Sequence, residues 1–151
     1  MRARRLFRGW PGWALASGLA VVGAGAARAG LPFETVAQGA HSRLTDALDV
    51  VVRTADEWTA LWARHAGPGP PPPAVDFARQ MIVAVFAGRR PTSGYGIEIT
   101  GVHVVDQEIQ VVYQERTPAA GAISLPVVTT PFHVIRIPRS ELTVRVLHSP
   151  A

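Results

Sequence analysis

Apolar positions along this chain recur with two periods, and together they mark out strands and one helix. Met81-Ile82-Val83-Ala84-Val85-Phe86 is a continuous apolar run, rich in β-branched residues and bounded by Gly88. A run this short fits a strand buried on both faces better than a helix. Tyr95, Ile97 and Ile99 then alternate with Gly96, Glu98 and Thr100, the period of two of a strand with one face in the core. Leu48 to Val52 also reads as a strand, whereas Leu31 to Leu48 is mixed, with Phe33, Val36 and Leu44 as anchors. Val102 to Val105 and Ile109 to Tyr113, separated by Asp106-Gln107-Glu108, read as a hairpin. Phe132 to Ile137 and Leu142 to Leu147 are the last strands, and Pro131 and Pro138 around the first of them suit a short or edge strand.

One segment changes to the helical period. Trp58, Leu61, Trp62 and His65 fall at i, i+3, i+4 and i+7, one face of a helix. Thr54, three residues before Glu57, gives it a capping box, and Gly67-Pro68 stops it. Two tryptophans on one stripe are most simply core anchors, with a ligand-stacking platform as the alternative. Residues 67–73, Gly-Pro-Gly-Pro-Pro-Pro-Pro, form a stiff polyproline-type connector. It does not divide domains, because the segment before it is too small to fold alone. Six to seven strands, one helix and no repeated βαβ unit give an α+β, mainly β class. The expected architecture is an antiparallel sandwich or open barrel with the helix packed across it.

The amino-terminal end stands apart from this pattern. Arg2, Arg4, Arg5 and Arg8 precede an uncharged apolar stretch from Trp13 to Ala26, and Ala27-Arg28-Ala29 has the small-x-small form cut by signal peptidases. Residues 1–29 are therefore expected to be a signal peptide and residues 30–151 a single domain. Periplasmic or secreted localisation follows, with the Sec and Tat routes both open because Arg4-Arg5 also suits the twin-arginine signal. No membrane association is expected after cleavage.

Removing that segment changes the charge argument. The 151 residues carry fifteen basic groups, all arginine, and eleven acidic ones, for a net +4. Five of the arginines lie before Gly30, so residues 30–151 hold ten against eleven, a net −1. No basic patch for nucleic acid is evident there, and nucleic acid is set aside as a partner. Cysteine is absent, so stability rests on the core without disulfides.

Catalytic chemistry finds little footing. The histidines His41, His65, His103, His133 and His148 show no metal-ligand spacing. Ser93 lacks the Gly-x-Ser-x-Gly elbow, and nothing in the sequence argues for a Ser93/His133/Asp76 triad. The acids are dispersed, and the chain has no lysine for a phosphate loop. The expectation is a non-enzyme with no cofactor and no metal.

What remains is a binding element. Gly88 to Gly94 joins two core strands with a glycine at each end and Pro91 inside, a connection of defined shape. Ordered loops on rigid scaffolds are where binding residues concentrate. Arg89, Arg90, Pro91, Thr92, Ser93, Gly94 and Tyr95 are accordingly the candidate partner-binding residues. Tyr95 shares its parity with Ile97 and Ile99, which favours the core, while its amphipathic ring also suits a partner.

The Gly88–Ile99 stretch, with the upstream Glu57-Trp58…Leu61-Trp62…His65 and Val75-Asp76-Phe77, resembles the carboxy-terminal domain of the PrcB family of protease-complex subunits. Thr130-Pro131-Phe132-His133-Val134-Ile135-Arg136-Ile137-Pro138 is similar to that family's last strands. The resemblance implies a non-catalytic subunit that associates with and stabilises an exported protease or other envelope protein. Ser93-Gly94 stands where the family commonly has two glycines. Pro91-Thr92-Ser93-Gly94-Tyr95 also resembles a loop of chagasin-type cysteine-peptidase inhibitors, although Arg90 replaces their asparagine. A protease inhibitor is therefore the second expectation. A cell-envelope ligand-binding module using Trp58, Trp62 and Tyr95 is the third.

Overall fold

The computed structural model describes residues 28–151. Two four-stranded sheets face each other, and a helix covers the outer face of one of them, so the layers run helix, sheet, sheet. The strands are β1 (Ala29–Gly30), β2 (Glu34–Gly39), β3 (Leu48–Val52), β4 (Gln80–Phe86), β5 (Gly96–Val105), β6 (Glu108–Arg116), β7 (Phe132–Pro138) and β8 (Thr143–His148); α1 is Ala55–Ala66. One sheet has the order β1-β5-β6-β8 and the other β2-β7-β4-β3. The expected mainly β sandwich with one helix is what forms, with no closed barrel.

The apolar run at 81–86 becomes β4, an interior strand between β3 and β7. Its two faces are used separately. Met81, Val83 and Val85 enter the core between the sheets, where they meet Ile97, Ile99, Val102, Ile109 and Val111. Ile82, Ala84 and Phe86 face the other way, toward Trp58 and Leu61 of the helix. Burial on both sides removes the polar alternation, which is why the run is continuous.

Three expectations need correction. Pairing is not antiparallel throughout, because β6 and β8 are parallel neighbours. The chain leaves β6, passes through β7 in the opposite sheet, and returns as β8 in the same direction as β6. The strand of 132–138 is not an edge strand either; β7 lies between β2 and β4, and its flanking prolines fall at its ends, where no ladder donor is lost. Residues 96–105 form one strand rather than two, with a bulge between Ile99 and Gly101. The hairpin that follows turns through Asp106 and Gln107, with φ of 49° and 62°. Two successive positive φ values are the geometry of the tight hairpin turn whose twist matches the strands.

The helix is built as its sequence expects. Thr54 Oγ1 accepts from the Glu57 amide at 3.2 Å, and the Glu57 carboxylate accepts from the Arg53 amide at 3.1 Å. Gly67, with φ of 80°, ends it by donating to the Ala63 carbonyl at 2.9 Å. Trp58, Leu61 and His65 are buried, while Trp62 is half-buried. The proline-rich connector is docked, since the Trp58 indole donates to the Pro73 carbonyl at 2.9 Å.

His133 ties the two sheets together. Its Nδ1 accepts from the Ile99 amide at 2.8 Å, and its Nε2 lies 2.8 Å from Thr35 Oγ1. A backbone amide can only donate, so Nδ1 must carry the lone pair and Nε2 the hydrogen. Beside it, Gln38 Nε2 donates to the Ile97 carbonyl at 2.8 Å. These side chains satisfy backbone groups of β5 that face away from β6, where β1 is too short to reach.

A candidate docking lip built from two loops

The β4–β5 connection, residues 87–95, leaves the core at Ala87 and is fixed at once. Ala87 N donates to the Pro131 carbonyl at 2.9 Å, and Arg89 N to the Thr45 carbonyl at 3.1 Å. Between them Gly88 has φ of 76°, and a Cβ there would sit 2.8 Å from the Ala47 backbone nitrogen. Both conformation and space therefore require glycine.

Arg90 is the hub of the loop. Its backbone exchanges two hydrogen bonds with Thr129, at 2.7 and 2.9 Å. Its guanidinium meets Glu115 of β6 in a fork, Nε to Oε1 at 2.5 Å and Nη2 to Oε2 at 2.9 Å. Nη1 donates to the carbonyls of Ala87 and Arg89. The hydrogen bonds to Arg90 hold the Glu115 carboxyl below the usual carboxylate range and raise the guanidinium in turn, so both stay charged.

Ser93 performs the second attachment. Its amide donates to the Leu125 carbonyl at 3.0 Å, and its hydroxyl oxygen accepts from the Leu125 amide at 2.9 Å. Thr129 Oγ1 adds a bond to the Thr92 carbonyl at 2.9 Å. The loop of 87–95 and the β6–β7 connection, residues 117–131, are thus stitched into one lip at the end of the sandwich.

The seven candidate residues do come together here, but their duties divide. Arg90 and Ser93 spend their polar groups inside the lip, and Thr92 Oγ1 bonds locally to the Ser93 carbonyl. Arg89, Pro91 and Gly94 are exposed. Tyr95 is half-buried at the mouth of an open cleft of about 750 Å³, beside Gln38, Glu98 and Arg116. The three residues weighed as a triad are engaged elsewhere: Ser93 with Leu125, His133 in the sheet seam, and Asp76 with Ala78 and Arg79. Trp58 is buried and so cannot present a stacking platform with Trp62.

The other half of the lip holds what the sequence reading missed. Ile123, Leu125, Val127 and Val128 are 99%, 61%, 49% and 58% exposed. Four large aliphatic side chains in six residues of irregular backbone show neither period, and apolar residues in a sequence are ordinarily assigned to the core. The available signal was their setting, a strand-like composition around Pro126 with no alternating polar partners. Among the described residues, no group of three or more potential ligands could hold a metal ion.

Comparison with known families matches residues 81–138 to the one described as PrcB C-terminal, from β4 through β7 and including both halves of the lip. The match is consistent with a protease-complex subunit. No curated protein and no solved structure matches the chain.

Proposed function

We propose, from the match of residues 81–138 to the PrcB C-terminal family, that the chain is a non-catalytic subunit that binds an exported protease through its lip and stabilises it. The observation that carries this reading is the exposed aliphatic side chains on a lip whose own polar groups are internally satisfied. Contiguous exposed apolar surface favours a protein partner over a polar small molecule. The rigid attachment favours binding too, because little conformational freedom is left to lose.

Export supplies the compartment in this reading. The leader up to residue 27 lies outside the described residues. A cut after Ala29 keeps Gly30 paired with His103 and the Leu31 amide on the Val102 carbonyl. The cut removes the Ala29–Val104 pair and leaves these two contacts to hold the new amino terminus.

The test uses the full chain expressed in its native cell, with a tag at the carboxy terminus. Amino-terminal sequencing should begin at Gly30. Capture should recover a protease whose half-life shortens when the gene for this chain is deleted. A captured protease that loses hydrolysis on rebinding the purified chain would move the reading to an inhibitor. Recovery of no protease overturns it.

A further inference from the structure

Along the seam between β2 and β5, side chains do what a strand ladder would ordinarily do. β1 covers β5 only at His103 and Val104, and the Leu31 amide adds one bond to Val102. Nearer the lip, His133 Nδ1 accepts from the Ile99 amide and Gln38 Nε2 donates to the Ile97 carbonyl, both at 2.8 Å. His133 and Gln38 are register partners, so they act on neighbouring groups of β5. Ile99 and His133 are each 2% exposed, yet Thr35 and Gln38 beside them are exposed. Water is therefore one side chain away from a buried ring.

The ring has one arrangement that satisfies the seam. Nδ1 needs its lone pair for the Ile99 amide, and Nε2–H donates to Thr35 Oγ1. A second proton can only go to Nδ1, where it would point a donor at a donor and leave the Ile99 amide buried and unpaired. Little around the ring offsets this. Glu98 on β5 attracts an imidazolium, but it is exposed and lines the cleft. Thr35 and Gln38 on β2 and Val85 on β4 carry no charge. Tyr113 and Glu115 of β6 lie beyond β5, opposite Ile99 and Ile97, and Glu115 is paired with Arg90. Glu34 and Arg136 pair with each other on the helix side of the sheet, where His65 packs on Phe132.

We infer that His133 is an acid-operated latch: a proton taken up at Nδ1 releases β5 from β2 along Ile97–Ile99 and opens the floor of the cleft beside Tyr95. Burial of the ring sets the latch to act below the ordinary histidine range. The β5–β6 hairpin and the β2-β7-β4-β3 sheet keep their own ladders without the seam bonds, so the release is local. The pH around the domain then sets how open the cleft is, whatever the lip binds.

Amide hydrogen exchange on the purified chain, corrected for the intrinsic effect of pH and followed by NMR from pH 8 to 5, tests this. The Ile99 amide should lose protection at least threefold, through an opening that low urea barely speeds. Val83, paired on both sides within its sheet, should exchange only through urea-sensitive global unfolding. His133→Gln, which keeps an acceptor but does not titrate, should hold Ile99 equally at both ends of the range, and His65→Gln should leave the loss as it is. The latch is overturned if Ile99 loses no protection, if its opening is as urea-sensitive as that of Val83, or if His65→Gln abolishes the loss. A folded His133→Gln chain that loses as much protection as the unaltered one overturns it too. Should that variant not fold, the ring nitrogens of the unaltered chain decide: Nδ1 must become protonated over the pH range in which Ile99 is released, and an Nδ1 that stays unprotonated there removes the latch.

Discussion

Replacing Arg90 with alanine would remove four side-chain hydrogen bonds and leave Glu115 charged, largely covered and unpaired. The expected loss is about 1–3 kcal/mol, held to that range because both groups retain some water. Urea unfolding checks it, and Arg90→Lys should restore only part, since an ammonium cannot reproduce the fork. His133 yields a pH dependence. Burial lowers its pKa, with Glu98 on β5 opposing, while the register neighbours Gln38 on β2 and Val85 on β4 carry no charge. A histidine with a depressed folded pKa binds fewer protons folded than unfolded, so stability rises with pH. Its contribution is whole above the unfolded value of about 6.5 and is lost as pH falls from there toward the folded value. His65, also lowered by burial, acts in the same sense. Glu115 acts only below the ordinary carboxylate range, while Asp49, raised by burial, has the opposite sign and acts above its ordinary value, where it makes the fall shallower. Unfolding free energy measured from pH 8 to 5 should therefore fall. His133→Gln, which keeps an acceptor but does not titrate, should show a shallower fall; an identical slope would remove His133 as a cause.

At the scale of elements, the two tryptophans of α1 separate. Trp58 is buried and hydrogen-bonded to Pro73, so Trp58→Ala should cost about 3–5 kcal/mol in a denaturant melt. Trp62 is half-buried, and its buried indole nitrogen has no hydrogen-bond partner. Trp62→Phe should then cost less than about 1 kcal/mol, because no bond is lost with the N–H. The β5–β6 turn offers a gain: Asp106→Asn with Gln107→Gly suits two positive φ values and should raise stability by about 0.5–1 kcal/mol. These elements also show where sequence patterns carry and where they fail. The helix was legible because cap, stripe and stop agree, and β4 because a doubly buried strand has no alternation to hide. β5 was read as two strands because its bulge shifts the inward parity from Ile97 and Ile99 to Val102 and Val104. β2 was not read as a strand because it is bulged and largely exposed, and so shows little periodicity. In the lip, the loop of 88–94 was legible from Gly88, Pro91 and Gly94. Its attachment to Leu125 and Thr129 was not, because that is a contact between segments about thirty residues apart.

For the whole molecule, the helix on one sheet leaves the other with a polar outer face, and the lip sits at the end of the sandwich opposite the Asp106–Gln107 turn. The order β1-β5-β6-β8 has a consequence for how the chain reaches this state. The β5–β6 hairpin is local and can close within microseconds. Its outer edge on the β6 side is covered only by β8, which follows β7 of the other sheet along the chain. During synthesis from the amino terminus, β8 is also the last strand to emerge. Nascent chains therefore pass through a stage in which an unsatisfied, half-apolar strand edge is open to other chains, a recognised route to aggregation. Loss of β8 from the carboxy terminus would leave that edge open, so such a truncation should lower the soluble yield in the cell even with the lip intact.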